Sequence, residues 1–326
     1  MKKEIPRLQD AYLARKRIAP FVRRTPLVES AWLSKHGNGS VYIKPENQQK
    51  TGSFKLRGAA NKILSLTSEE RERGVITVSS GNHGRAVAYM ARELGITAVI
   101  CMSSAVPDNK VQAVEELGAE LAIIGDTYDE TNDHAIRLQV ERHLTFVHPF
   151  DDREIIAGQA TIGLEIVEDL PQIDTVIVPL SGGGLLGGVA LALKSIKPDV
   201  RTIGVSMERG PAMYESIKAG VITPVVEEPS LADALVGGLG DDNIFTLDLA
   251  REYVDEIELV SEDEIAAGML FVLEKEHLVV EGGGAVGFSL LLGDRVNIEG
   301  QNVVVVASGG NTNLDVLVQV AQGKIS

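Results

Sequence analysis

The sequence predicts an α/β fold in which parallel sheets are covered by helices on both faces. Short runs rich in Val and Ile recur along the chain, and segments with helical spacing lie between them. Strands that are almost continuously hydrophobic and that alternate with helices are typical of parallel sheets buried between helical layers. Three glycine-rich segments directly follow predicted strands, which is where open parallel sheets bind ligands.

The predicted strands are VYIK at 41, GVITVSS at 74, ITAVICM at 96, ELAIIG at 120, TVIVPL at 175, RTIGVSM at 201 and NVVVVA at 302. Helical spacing predicts helices between them at 84–95, 109–120, 129–143 and 187–199. The order predicts two series of strands and helices, one from about 74 to 148 and one from about 175 to 206. The segment PFDDREIIAGQ at 149–159 separates the two series.

The length of 326 residues favours two domains or one large α/β domain, because single domains usually have roughly 100–200 residues. We interpret the 149–159 segment as the chain crossing back from a smaller inserted domain. The expected boundaries are therefore a large domain of residues 1–65 and 150–326, with a small domain at 66–149.

The composition is that of an ordinary globular protein, with 44% hydrophobic and 24% charged residues. A net charge of -15, without a cluster of Lys and Arg, argues against nucleic acid as a partner. No apolar run has the length of a signal peptide core or a membrane span, so we expect a cytoplasmic protein without a membrane partner. The single cysteine, Cys101, is expected to be a buried strand residue.

The segment SGGGLLGG at 181–188 predicts an anion site. It follows the strand TVIVPL and begins a helix, where free backbone N–H groups and the helix dipole both favour a phosphate. Only Gly lets the backbone approach a ligand so closely. The segment matches neither the dinucleotide pattern GxGxxG nor the P-loop. The alternative is a glycine-rich turn that serves only tight packing of strand and helix.

Lys55 is set between a Phe and a Leu in TGSFKLRG. A lysine in apolar surroundings loses solvation of its charged form, so its neutral amine becomes available to form a Schiff base. Taken alone, Lys55 also fits a surface lysine whose stem packs along a helix. Together with a phosphate site and the polar strand ends SSGNHG at 79–84 and SGGN at 308–311, it makes up the parts of a pyridoxal phosphate site.

From about residue 10 to the C-terminus, the chain resembles the fold-type II pyridoxal-phosphate enzymes. Within these enzymes, the resemblance is to the serine/threonine dehydratase and serine racemase group. The matching motifs, in the family's order, are RTPLVES, KPENQQKTGSFKLRGA, SSGNHGRAVA, IAGQATIGLEI, PLSGGGLLGG and SGGN. The resemblance implies two open, mostly parallel sheets covered by helices. GVSMERGPAM and SLADALVGGLG also look like segments of the hydroxyectoine-utilisation dehydratases.

The resemblance implies a role for each matching residue, with pyridoxal 5'-phosphate as the cofactor. Lys55 matches the lysine that holds the cofactor covalently and moves the α-proton, and Phe54 would pack against the ring. Asn82 matches the residue that hydrogen-bonds the phenolic oxygen, and Ser308 the hydroxyl that faces the pyridine nitrogen. The phosphate cradle matches Gly182, Gly183, Gly184 and Leu185. The loop that receives the substrate carboxylate matches Ser79, Ser80, Gly81 and His83.

The implied reaction is elimination of the β-hydroxyl of an amino acid, which gives a 2-oxo acid and ammonia. Candidate substrates are serine, threonine, 3-hydroxyaspartate and a hydroxyectoine-derived amino acid. One alternative is racemisation, in which Ser80 would supply a proton on the face of the ring opposite Lys55. A non-catalytic alternative is a phosphate- or nucleotide-sensing protein, which would not require Lys55. We also expect a homodimer or a higher homo-oligomer.

Two departures from the family pattern affect these expectations. Many relatives carry acidic residues that bind a divalent metal near the end of the strand RTIGVSM, where this sequence has Ser206 and later Ala212. Alanine offers no side-chain oxygen ligand and Glu208 is in the wrong register, so we predict that this metal site is absent or altered. In addition, Arg85 follows GNHG, where a Gln is common in threonine dehydratases.

Overall fold

Two sheets organise the computed structural model of the protein, which describes residues 4–324. In chain order the strands are β1 (Val28–Glu29), β2 (Ser40–Lys44), β3 (Val75–Val78), β4 (Ala98–Met102), β5 (Glu120–Ile123), β6 (Thr145–Phe146), β7 (Thr175–Pro179), β8 (Arg201–Met207), β9 (Glu256–Val260) and β10 (Asn302–Val306). One sheet has the strand order β1-β2-β10-β7-β8-β9, and the other has the order β5-β4-β3-β6. Every neighbouring pair is parallel except β1 with β2.

Helices connect the strands and cover the sheets. In chain order they are α1 (Leu8–Ile18), α2 (Ala31–Gly37), α3 (Lys55–Ser65), α4 (Ser68–Arg73), α5 (Asn82–Leu94), α6 (Asp108–Glu115), α7 (Tyr128–Arg142), α8 (Arg153–Asp169), α9 (Gly184–Ile196), α10 (Ala212–Ala219), α11 (Thr246–Tyr253), α12 (Glu262–Lys275), α13 (Gly282–Leu292) and α14 (Leu314–Ala321). Short 3-10 turns form at Glu46–Gln48 and Asp233–Leu235. No helix in the described part of the chain is long and apolar enough to cross a membrane. The predicted α/β fold class is confirmed.

Both faces of the six-stranded sheet are buried, as its continuous hydrophobicity predicts. On β10, Val303 and Val305 contribute to a core with α12 and α13, whereas Val304 and Val306 contribute to a core with α8 and α9. The four-stranded sheet is covered in the same way, by α3 and α5 on one face and by α7 on the other. Cys101 lies in β4 and is 1% exposed, so it is the buried strand residue that the sequence predicts.

The four-stranded sheet is inserted in the chain between α3 and α8. From β6 the chain passes through the 149–159 segment into α8, whose first turn is capped by Asp152, and then reaches β7 of the large sheet. This path matches the interpretation of 149–159 as the segment in which the chain crosses back. The strands of the small sheet lie at 75–146, and the domain boundaries at 65/66 and 149/150 stay a prediction.

Four buried charged side chains connect β2, the 3-10 turn after it, α3 and α8 in a buried charge network, which consists of Lys44, Glu46, Arg57 and Glu165. The guanidinium of Arg57 donates to both carboxylate oxygens of Glu46 at 2.8 Å and to those of Glu165 at 2.6 and 2.8 Å. Lys44 Nζ donates to Glu165 Oε2 at 2.7 Å and to the carbonyl of Thr25 at 2.6 Å. Although burial opposes ionisation, Arg57 holds the pKa of Glu46 below its usual value. This buried charge network fixes the start of α3.

Candidate active site

A cavity of about 920 Å³ lies at the carboxyl ends of β3, β7 and β10, where the loops of the two sheets meet. Three of its walls come from the glycine-rich segments that follow these strands, as the sequence predicts. Every residue predicted for the site lines this cavity: Phe54, Lys55, Ser79, Ser80, Gly81, Asn82, His83, Gly182, Gly183, Gly184, Leu185 and Ser308. The fold therefore brings together segments that are far apart in the sequence.

Lys55 is the first residue of α3, so the buried charge network that fixes this helix also places the amine. Its Nζ donates to the carbonyl of Pro149 at 2.7 Å and lies 5.3 Å from the centroid of the Phe54 ring. Burial lowers the pKa of Lys55 to about 8, and the nearby carboxyl of Glu281 opposes this shift. A substantial fraction of the amine is therefore neutral near physiological pH.

The turn from β7 to α9 has a backbone that only glycine accommodates. Gly183 has a φ of 84°, in the left-handed region. A Cβ on Gly182 would lie 2.5 Å from the ring of Phe150, and one on Gly184 would lie 2.7 Å from the Phe150 carbonyl oxygen. Close packing against Phe150 thus explains part of the glycine content, as the packing alternative proposed.

The same turn also leaves backbone donors unused at the cavity wall. Within residues 4–324, no protein oxygen accepts a hydrogen bond from the amides of Gly182, Gly183, Gly184 or Leu185. These amides begin a helix of 13 residues, whose dipole adds positive potential at this end. Packing alone does not account for four free donors in one cavity, so the donor set fits a phosphate group.

Asn82 begins α5 and makes hydrogen bonds on both sides of its amide. Its Nδ2 donates to Glu281 Oε1 at 2.6 Å, and its Oδ1 accepts from Asn311 Nδ2 at 2.7 Å. Glu281 is 5% exposed, and burial, reinforced by Asp233, raises its pKa to about 7. The protein therefore supplies a hydrogen-bond partner for both the nitrogen and the oxygen of the Asn82 amide at the cavity wall.

His83 is neutral in the folded protein. Burial, with a smaller contribution from Lys55, lowers its pKa to about 3. Its Nε2 lies 3.0 Å from the carbonyl oxygen of Val147, which only accepts, so Nε2 carries the proton. Nδ1 is buried and has no partner among the described residues. A neutral ring bonded to the backbone fits a structural histidine better than an acid or base.

Ser308 follows β10 and is 4% exposed. Its hydroxyl makes only a long contact of 3.4 Å with the carbonyl of Gly283, so it is free to bind another group. Its backbone carbonyl accepts from the amide of Phe54 at 3.0 Å, which ties β10 to the residue before Lys55. Ser80 lines the cavity on the opposite loop and is partly exposed.

Glu281 and Asn311 are site residues whose roles the sequence did not predict. Glu281 precedes α13, which is apolar except for Ser289, and follows no strand, so no strand-end pattern marks it as a cavity residue. Asn311 is part of the SGGN motif, and its place after β10 was a usable signal.

The positions considered for a metal lie in and after β8. Ser206 is buried in β8, Ala212 begins α10, and Glu208 is exposed. The described part of the chain contains no group of three or more His, Cys, Asp or Glu side chains that could hold a metal. The absence of a metal site nevertheless stays a prediction.

Comparison with known proteins agrees with this site. Residues 18–309 match the profile of the family described as pyridoxal-phosphate dependent enzyme. The L-threonine ammonia-lyase of Thermotoga maritima is 44% identical over 310 residues, which cover 95% of this chain and 77% of the relative. Maize serine racemase superposes with a TM-score of 0.92 at 34% identity, covering 98% of each chain. The T.th. threonine deaminase superposes with a TM-score of 0.87 at 36% identity, covering 95% of this chain and 99% of that one.

These matches extend over nearly the whole chain and include all three walls of the cavity. The free amides after β7 and the partly neutral amine of Lys55 are the donor and the nucleophile that the family's cofactor needs. The resemblance drawn from the motifs is therefore confirmed, and the chain belongs to the pyridoxal-phosphate-dependent enzymes of the serine/threonine dehydratase and serine racemase family.

Proposed function

We propose that this protein is a carbon-oxygen lyase that converts a β-hydroxy amino acid to a 2-oxo acid and ammonia. The observation that carries the proposal is one cavity that holds both the amine of Lys55 and four free backbone amides after β7. The names of the relatives, threonine ammonia-lyase and threonine deaminase, support the reaction class. Serine, threonine, 3-hydroxyaspartate and a hydroxyectoine-derived amino acid are the candidate substrates.

The residues of the cavity fit pyridoxal 5'-phosphate. When bound, this cofactor supplies an electron sink that makes the α-proton of an amino acid removable. The amides of Gly182 through Leu185 would hold its phosphate, and Phe54 would pack against its ring. Asn82 would donate to its phenolic oxygen, the hydroxyl of Ser308 would bind at its pyridine nitrogen, and Lys55 would hold it covalently.

Lys55 is the group that moves the α-proton in this proposal. Its lowered pKa means that the amine accepts a proton near neutral pH and releases it again without a large change in free energy. The carbonyl of Pro149 accepts a hydrogen bond from Nζ and so orients the amine within the cavity. The neutral His83 is unsuited to this task, because its pKa lies far below neutral pH.

Ser308 favours elimination over reactions that need a long-lived carbanion. A hydroxyl does not hold a proton on a pyridine nitrogen as a carboxylate does, so it leaves the ring a weaker electron sink. Elimination suits such a site because the leaving group departs as the α-proton is removed.

The loop Ser79–His83 is where we place the substrate carboxylate. It precedes and begins α5, whose first amides have no intrahelical acceptor and favour a negative charge. Ser79 Oγ accepts from the amide of Gly81 at 3.3 Å, which holds the loop in shape.

Racemisation is the second candidate, because the fold superposes closely on maize serine racemase. It needs a proton donor on the ring face opposite Lys55, and Ser80 is the hydroxyl proposed for that role. The non-catalytic alternative is set aside, because the chain belongs to a family of enzymes.

Assays of 2-oxo acid, ammonia and substrate enantiomers across the candidate substrates test the reaction. We expect equal amounts of 2-oxo acid and ammonia from at least one substrate, at a rate above that of racemisation. Ser80→Ala should remove residual racemisation and spare much of the elimination. A racemase rate above the lyase rate in the unmutated protein would overturn the proposal. Loss of all elimination in Ser80→Ala would instead assign Ser80 to carboxylate binding.

We further propose a homodimer or higher homo-oligomer in the cytoplasm. Leu314 and Val318 on α14 are 73% and 43% exposed, and an apolar helix face of this kind is typically covered by another subunit. The lone cysteine, which has no disulfide partner within the chain, agrees with a reducing compartment. Sedimentation velocity tests the assembly, and a monomer at micromolar concentration would contradict it.

A further inference from the structure

A chain of hydrogen bonds runs along one wall of the cavity from Arg85 to Glu281. Arg85 Nη1 donates to Asn311 Oδ1 at 3.1 Å. Asn311 Nδ2 then donates to the carbonyl of Thr51 at 2.8 Å and to Asn82 Oδ1 at 2.7 Å. Asn82 Nδ2 in turn donates to Glu281 Oε1 at 2.6 Å. Two side-chain amides thus lie in series between a guanidinium and a carboxyl.

Two partners of Asn311, the guanidinium of Arg85 and the carbonyl of Thr51, have fixed hydrogen-bonding roles. A guanidinium only donates, and a backbone carbonyl only accepts. Asn311 must therefore present its oxygen to Arg85 and its nitrogen to Thr51. That orientation leaves the second N–H of Asn311 as the donor to Asn82, so the amide of Asn82 must present its own oxygen to Asn311. Its nitrogen then faces Glu281 on the cavity wall.

Glu281 does not fix this orientation by itself. Because burial raises its pKa to about 7, its carboxyl either accepts or donates a hydrogen bond near neutral pH. With Glu281 alone, Asn82 would be stable with either its oxygen or its nitrogen toward the carboxyl. The orientation of Asn82 is therefore set from the Asn311 side, by Arg85 and the carbonyl of Thr51 together.

We propose that Arg85 and Asn311 are positioning residues that lock the amide of Asn82 with its nitrogen toward the phenolic oxygen of the cofactor. The inference rests on the proposed role of Asn82 in the preceding section. It goes beyond that role, because it explains how the protein selects one of two amide orientations of nearly equal shape.

The surroundings of Arg85 and Asn311 support this role. Arg85 is half-buried, and desolvation lowers its pKa against the opposing charge of Glu281, while its guanidinium donates to Asn311. A partly desolvated cation is costly unless its donors are used. Gly52, at a φ of 76°, leaves space for Asn311, since a Cβ there would overlap its amide.

A Gln at position 85, which is common in threonine dehydratases, would weaken the constraint. Its amide both donates and accepts, so only the carbonyl of Thr51 would then fix the orientation of Asn311. Because a guanidinium only donates, Arg85 is compatible with only one orientation of the Asn311 amide.

Absorption spectra of the holoenzyme test the lock, because a donor to the phenolic oxygen stabilises its anionic form. Arg85→Met removes every donor and should raise the share of the short-wavelength, neutral form of the bound cofactor. We also expect about three- to tenfold weaker cofactor binding, the effect of one lost hydrogen bond. Arg85→Lys keeps a group that donates and cannot accept, so its spectrum should resemble that of the unmutated protein. The spectrum of Arg85→Gln should lie between those of Arg85→Met and the unmutated protein. Arg92→Met, on the exposed side of the same helix, is the matched control and should match the unmutated protein.

Asn311→Asp is a second, independent test. An aspartate accepts from Arg85 but cannot donate to Thr51 or Asn82, so it should shift the spectrum in the same direction as Arg85→Met. Thermal unfolding shows whether each variant is folded. If Arg85→Met or Asn311→Asp does not fold, the spectra of Arg85→Lys and Arg85→Gln are compared instead. Spectra of Arg85→Met and Asn311→Asp identical to the unmutated protein would overturn the lock. If the unmutated protein shows no covalent cofactor on Lys55, the proposed function fails instead.

Discussion

Lys55, His83 and Glu281 show how one cavity gives three ionisable groups unusual protonation states. Burial lowers the pKa of the two bases, to about 8 for Lys55 and about 3 for His83, and raises that of Glu281 to about 7. Each shift favours the neutral form, because the cavity wall supplies less solvation than water. The site therefore contains a usable amine, a neutral imidazole and a carboxyl close to its titration point.

His83 makes the folded protein sensitive to acid. Its folded-state pKa of about 3 lies below the ordinary 6.5, so the unfolded chain binds more protons between these values. Its contribution to stability is complete above pH 6.5 and is lost as the pH falls toward 3. We expect His83→Asn to reduce the loss of unfolding free energy between pH 7 and pH 4.5, measured by urea unfolding. His134→Asn, on α7, is the control. An equal acid dependence in His83→Asn and the unmutated protein would contradict this assignment.

At the scale of elements, the sequence predicted the strands that are apolar throughout and missed those that are not. All seven predicted strands form. The missed β1 and β6 have two residues each, and β9 is mostly partly exposed, with two Glu residues in EIELV. Helices α8 and α13 were also missed, because they are buried almost all round and so lack an amphipathic period.

The same reasoning explains which parts of the site were predictable. Residues after β3, β7 and β10 were found because parallel strands end at one edge, where glycine and polar residues stand out. Glu281 and the buried charge network were not found, because both depend on contacts between residues far apart in sequence. Arg57 and Glu165, for example, are separated by 108 positions. A single charge in a helix carries no signal of such a partner.

The buried charge network should make Arg57 a major determinant of stability. Arg57→Met leaves Glu46 and Glu165 buried with one partner cation, Lys44, for two carboxylates. Removing one member of a buried ion pair costs about 3–5 kcal/mol, so we expect a loss of that size in urea unfolding. As a control, Arg142→Met breaks an exposed pair with Glu120 and should cost no more than about 1 kcal/mol. Similar losses in both variants would show that the network is not stabilising.

At the scale of the whole molecule, the site exists only because the two sheets present their strand ends to one cavity. Lys55 begins the helix that leads into the small sheet, the turn proposed to bind phosphate belongs to the large sheet, and Asn82 lies on the first helix after β3. The hydrogen bond from Asn311 to Asn82 joins the two parts at the cavity wall.

Whole-molecule stability also tests the predicted lack of a metal site. A metal that binds only the folded state raises its stability by mass action. Because the family resemblance places Ser206 and Ala212 where acidic metal ligands are expected, we predict that chelator leaves the melting temperature and activity nearly unchanged. A drop in melting temperature that Mg or Ca reverses would show that other oxygen ligands form a site.

The most direct test of the account is to find where the cofactor is attached. We predict that the purified protein is yellow, and that borohydride removes its absorption band and leaves the cofactor covalently on Lys55, as peptide mapping would show. Lys44, which is buried but paired with Glu165, should carry no label, and Lys55→Ala should lose the band. A label on another lysine, or no bound cofactor in the protein as purified and after incubation with pyridoxal phosphate, would contradict the central claim.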